Sequence, residues 1–138
     1  MAINIFRLII VFLLSFFQAY WAMKKYAKNI SSNCLDCSFK EDLIMYSIIT
    51  VVLFSIIIFF IKKLKKKLFL TTVLYIISLI IFWLWIDYNI FNERVASWST
   101  YSSIEICSHV IYDSFTPILT SSIIYLFVGL KIDEIKNS

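Results

Sequence analysis

Glycine and proline are nearly missing from this chain, which holds one of each, Gly129 and Pro117. Close helix contacts through glycine, and the broken helices with which transporters hold ions, therefore have little material here. Charge is scarce as well: 16% of the residues are charged while 61% are apolar. A water-soluble domain of 138 residues could not cover that much apolar surface, so the composition is that of a membrane protein. There is also no phosphate-binding loop, nucleophile elbow or zincin helix, and no internal repeat or Pro/Gly-rich linker. Residues 1–138 read as a single domain.

What is abundant is long uncharged sequence: Leu8 to Met23, Leu43 to Ile61, Leu68 to Ile86 and Ser114 to Leu130. Each approaches the roughly 20 residues that cross about 30 Å of hydrocarbon. The runs are continuously apolar and do not alternate every second residue, which favours helices over barrel strands. The expected fold is all-α: an integral-membrane bundle of four helices spanning about residues 3–23, 43–61, 68–87 and 110–130. The first span is kept as a helix and not read as a signal peptide, because "QAYWAMKKY" offers a poor small-residue cleavage site.

Orientation follows from "IKKLKKKL", which places five lysines in the six residues from Lys62 to Lys67. Such a loop resists translocation and stays in the cytoplasm, so both termini are expected there, in what reads as a bacterial inner membrane. Lys62, Lys63, Lys65, Lys66 and Lys67 then face anionic headgroups. The loop is too short to offer the basic surface that nucleic acid requires. With this topology the inner side carries eight basic and two acidic residues, and the outer side five basic and seven acidic. All four tryptophans, Trp21, Trp83, Trp85 and Trp98, fall near the outer ends of spans, where amphipathic rings settle.

The three cysteines, Cys34, Cys37 and Cys107, share that outer side. An oxidising compartment favours disulfides. One expectation is a staple from Cys34 or Cys37 to Cys107. Another is redox chemistry: a C-x-x-C pair outside a four-helix bundle resembles the membrane disulfide-generating oxidoreductases, which pass electrons from a periplasmic dithiol to a quinone. The resemblance covers "CLDC" and the helix count. Those enzymes carry a second cysteine pair where this chain has only Cys107, and "CSFKEDLIMY" lacks their arginine. Cys34, Cys37, Cys107 and His109 also have the ligand types of a zinc site, but thiolates in such a compartment tend to be lost to disulfides, so no metal is expected, and no cofactor other than a quinone if the redox reading holds.

"IEICSHVIYDSFTPILT" places Glu105, His109 and Asp113 four apart, hence on one helical face, and Thr116 and Thr120 continue that face. Carboxylate, imidazole and carboxylate in line could relay protons, hold a cation or meet a partner. The plainer expectation has Glu105 and His109 solvated and Asp113 paired with a lysine or a tyrosine hydroxyl. Pro117 cannot donate to the Asp113 carbonyl, which predicts a kink beside that residue. Upstream, "FNERVASWSTY" sets Phe91, Val95 and Trp98 at helical spacing, as in a short amphipathic interfacial helix before the last span, one that could present Trp98 as a docking face for a partner.

The expected function is non-enzymatic: binding of a membrane or periplasmic protein partner, besides membrane lipids. In size, helix count and bulky aliphatic composition the chain resembles small bacteriocin-type immunity proteins, which would imply protection against a pore-forming or membrane-targeted toxin. A thiol-disulfide oxidoreductase is the alternative. A proton or cation pathway along the fourth helix is the third reading.

Overall fold

The computed structural model describes residues 2–63 and 68–137. Four long helices dominate it: α1 (Ala2–Met23), α2 (Phe39–Lys63), α3 (Leu68–Arg94) and α4 (Ser103–Asn137). Single 3-10 turns cover Lys24–Tyr26 and Ala96–Trp98, and no strand occurs among the described residues. All four helices are long and apolar enough to cross a membrane. At about 1.5 Å of rise per residue, the 35 residues of α4 reach well past a bilayer's hydrocarbon.

α1 and α3 each pack against the other three helices. The buried positions recur every third or fourth residue, as one face of a helix requires. On α1 they are Arg7, Val11, Ser15, Gln18 and Ala22; on α3 they are Thr72, Tyr75, Leu79, Trp83 and Asp87. α4 buries Val110, Ser114, Ile118, Ser121 and Tyr125 on the same spacing. The interior is therefore mixed, with hydroxyls and amides among the aliphatics, while Phe6, Phe17, Phe60 and Phe127 point outward. That is the arrangement a lipid-facing bundle calls for, since acyl chains accept apolar side chains and inter-helix hydrogen bonds hold the inside.

Bulky side chains set the helix spacing. Phe54 of α2 meets Tyr75 of α3 and Tyr125 of α4 edge-on, with ring centroids 5.4 and 6.2 Å apart. Gly129 supports no unusually close crossing: a Cβ there would lie 3.4 Å from Thr72 and Tyr125, which is ordinary contact. Pro117 lies inside α4, whose helical assignment continues through it from Ser103 to Asn137.

Two differences from the sequence reading concern boundaries. α3 runs on to Arg94, seven residues past the expected end of its span. The segment read as a separate amphipathic helix is thus divided between the last turns of α3 and the 3-10 turn Ala96–Trp98. Glu93 and Arg94 are buried because the 27–38 loop folds down over them, and Phe91 is buried among Tyr26, Tyr101 and His109. Both α2 and α4 also begin earlier than their apolar runs, and each start is set by a capping box. The Ser38 hydroxyl accepts from Glu41 N (3.3 Å) and Glu41 Oε2 accepts from Ser38 N (2.6 Å). Ser102 and Glu105 repeat the motif, with Ser102 N donating to Glu105 Oε2 at 2.7 Å.

Candidate functional site

The chemically dense end of the bundle is the one that carries the cysteines. Residues 24–38 leave α1 and cross to α2, and this loop is held from below by the last two residues of α3. Glu93 gathers three donors: Asn33 Nδ2 at 2.6 Å, Ser31 Oγ at 3.4 Å, and the Tyr46 hydroxyl. Its backbone carbonyl accepts from Ser32 N at 2.9 Å. Arg94 does the complementary work as a donor. Its Nε and Nη2 reach Asp42 Oδ2 at 3.0 and 2.5 Å, its Nη2 reaches the Cys37 carbonyl at 3.4 Å, and its Nη1 donates to the Asn29 carbonyl. The guanidinium also lies over the Phe39 ring, 5.3 Å from its centroid.

Asp42 and Arg94 are almost inaccessible, with side-chain exposures of 7% and 2%. A buried pair of this kind holds only because the guanidinium's remaining hydrogens and the carbonyls they meet are satisfied together. A fork of five donors can brace two loop carbonyls and a carboxylate at once, which a lysine could not do. Asn29 Nδ2 to the Arg94 carbonyl (3.1 Å) and Trp98 Nε1 to the Ile30 carbonyl (2.9 Å) close the clamp from the other side.

The cysteines within this loop differ from the staple expected. Cys34 and Cys37 are bonded to each other, with S–S 1.94 Å and Cα–Cα 5.3 Å. A turn in which Cys37 N donates to the Cys34 carbonyl (3.3 Å) brings them together, so local geometry wins over the long-range bridge. Cys107 is a free, exposed thiol on the second turn of α4. The zinc set Cys34, Cys37, Cys107 and His109 is likewise not assembled, and no group of three or more candidate metal ligands occurs among the described residues.

The stripe on α4 is taken apart in the same way, each member having its own employment. Glu105 is committed to the capping box with Ser102. His109 stacks on Phe91, with centroids 5.8 Å apart and planes 15° apart, and meets Tyr101 edge-on at 5.4 Å. Asp113 pairs with Lys25 Nζ at 2.6 Å and accepts from the Tyr26 hydroxyl at 3.0 Å. It is the plain pairing, lysine plus tyrosine hydroxyl, that the structure shows. Asp113 also borders an open groove of about 960 Å³ between the end of α1 and α4, with Trp21, Tyr112 and Pro117.

Trp98, a partner-binding candidate, is 60% exposed although its indole N–H is held by Ile30. Of the lysines, Lys62 and Lys63 end α2, while Lys65, Lys66 and Lys67 lie outside the described residues.

Sequence reasoning missed a second polar cluster, deeper in the bundle. Gln18 Nε2 of α1 donates to Asp87 Oδ2 of α3 at 2.6 Å. The Ser114 hydroxyl of α4 approaches the same carboxylate without completing a hydrogen bond. Nearby, Trp83 Nε1 donates to Ser15 Oγ at 2.9 Å. The available signal was Asp87 itself, a carboxylate one residue beyond an uninterrupted apolar run, at i+4 from Trp83 on the inward face.

The chain matches no protein-family model, no curated protein and no solved structure. Its geometry alone carries the functional argument.

Proposed function

We propose that this chain is a small multipass protein of a bacterial inner membrane, with both termini in the cytoplasm, that acts by binding a membrane or periplasmic protein partner through its cysteine end. The lysine loop, including Lys62, Lys63, Lys65, Lys66 and Lys67, is held at the anionic inner leaflet. The opposite end then lies outside. The observation that carries the reading is the clamp: Glu93 and Arg94 fix a loop that could otherwise move, and the fixed loop and its surroundings display Ile30, Leu35 and Trp98 at exposures of 58%, 69% and 60%. Rigid apolar and aromatic side chains at a braced surface bind with little ordering cost. Immunity against a pore-forming or membrane-targeted toxin is the role within this class that the small size and the absence of a catalytic motif fit best.

The test is protection. Cells expressing the chain are challenged with a panel of pore-forming bacteriocins, beside cells expressing Leu35→Asp and Trp98→Ala variants. Protection by the parent chain, lost in the variants at equal membrane abundance and equal melting temperature, supports the reading. Protection that ignores both substitutions sinks it.

A second reading, membrane thiol oxidation with a quinone as electron acceptor, is favoured by one observation: Cys34 and Cys37 form a closed disulfide while Cys107 remains a free, exposed thiol. Replacing Cys34 and Cys37 together with serine decides between the two. Enzyme function cannot survive that change, whereas partner binding largely does.

A further inference from the structure

Asp87 is fully buried, and Gln18 and Ser114, contributed by two other helices, are buried to within 1%. Only one carboxylate oxygen of Asp87 has a partner, the Gln18 amide. Its Oδ1, Gln18 Oε1 and Ser114 Oγ have none. Three helices therefore meet at the Asp87 carboxylate, and each leaves one buried oxygen there short of hydrogen.

A bare carboxylate here would be costly. A buried charge without a counter-charge loses several kcal/mol of hydration, and none of the neighbours replaces it. The charged and titratable groups around it are few. α1 offers only the uncharged Gln18, and α4 offers Asp113, a second carboxylate and so no counter-charge. Lys25 and Tyr26, from the turn after α1, are spent on Asp113, and among the described residues α2 brings no charged group to Asp87.

The missing component is positive and small. A hard metal cation gathers six or more oxygens and needs room between them. Gln18 Nε2 already donates to Asp87 Oδ2 at 2.6 Å, and among the described residues only two polar side chains, Gln18 and Ser114, come up to the carboxylate. A proton needs no volume and two oxygens.

We propose that Asp87 is a proton-binding site of the bundle, carrying its proton on Oδ1 and donating it toward Ser114 Oγ. Binding is a proton transfer from hydronium: one O–H bond forms on Asp87 as one on the hydronium breaks and leaves water, with no change of oxidation state. The proton then ties α3 to α4, as the Gln18 amide ties α1 to α3. The site lies apart from Glu105 and His109, and the proposal does not depend on partner binding.

Infrared spectroscopy of the purified full chain in lipid nanodiscs at about pH 7 tests this directly. The parent chain is expected to show the C=O stretch of a protonated carboxylic acid that exchanges slowly with heavy water. Asp87→Asn removes the band, Asp113→Asn keeps it, and Gln18→Leu keeps it at a shifted frequency because one hydrogen bond to the acid is gone. The proposal is overturned if the parent chain lacks the band, if the band persists in Asp87→Asn, or if adding sodium at constant pH abolishes it, which would make the ligand a metal cation. Should Asp87→Asn fail to fold, Gln18→Leu decides, since an unshifted band places the acid elsewhere.

Discussion

Replacing Arg94 with alanine removes the centre of the clamp, and the structure sets the size of the effect. The substitution deletes two charge-assisted hydrogen bonds to Asp42, two more to the carbonyls of Asn29 and Cys37, and the contact over Phe39. What remains is the larger problem, because Asp42 is 5% exposed and is left charged without a counter-ion. Breaking a buried pair from one side costs about 3–5 kcal/mol, a large share of the stability of a domain this size. Asp42→Ala should cost a similar amount by stranding the guanidinium. The double variant strands neither, so its cost should fall well below the sum, with a coupling energy of about 2–3 kcal/mol. Reversible unfolding in mixed micelles, followed by far-UV circular dichroism and tryptophan fluorescence, measures all four corners of the cycle. Trp98 reports the loop because its indole donates to Ile30. A loss under about 1 kcal/mol for Arg94→Ala, or simple additivity, would mean that the pair is already hydrated and that the loop is not braced.

Three further outcomes follow from the same geometry. An impermeant thiol reagent applied to intact cells should label one cysteine, Cys107, before reduction and all three after it; no labelling without lysis would invert the topology. Serine at both Cys34 and Cys37 should cost at most about 2 kcal/mol by micelle denaturation, because the closed loop is short and Glu93 and Arg94 still hold it; complete unfolding would refute that. Asp113→Asn should cost about 0–1 kcal/mol in the same assay: the Asp113 side chain is only 8% exposed, but its partner Lys25 is 52% exposed and an asparagine oxygen can still accept from Tyr26. A much larger loss would show that the pair sits deeper than its exposure indicates.

The two capping boxes show how far local chemistry can be read. "SFKE" and "SSIE" each place a serine three residues before a glutamate, and that spacing alone satisfies the free amides at the start of α2 and α4. Glu105 carries that local signal, although the sequence reading places it only in a polar row. Its position in a row with His109 and Asp113 drew attention to a relay that the structure does not assemble. Residues four apart share a helical face, but a face says nothing about what stands opposite each one. Phe91, Tyr101 and Lys25 stand opposite, and they arrive from three other parts of the chain.

Four helices long and apolar enough to cross a membrane were determined by the sequence, because burying a run of uncharged side chains in lipid is a local matter of length and composition. Which polar residues meet was decided only in three dimensions. Asp42 and Arg94 are 52 positions apart, Gln18 and Asp87 are 69 apart, and neither pair leaves a pattern in the chain. The disulfide is the exception, since the turn in which Cys37 N meets the Cys34 carbonyl closes it locally and leaves Cys107 out. Hydrophobicity acts residue by residue, whereas a buried charge or amide is tolerable only against a particular partner, and packing chooses that partner.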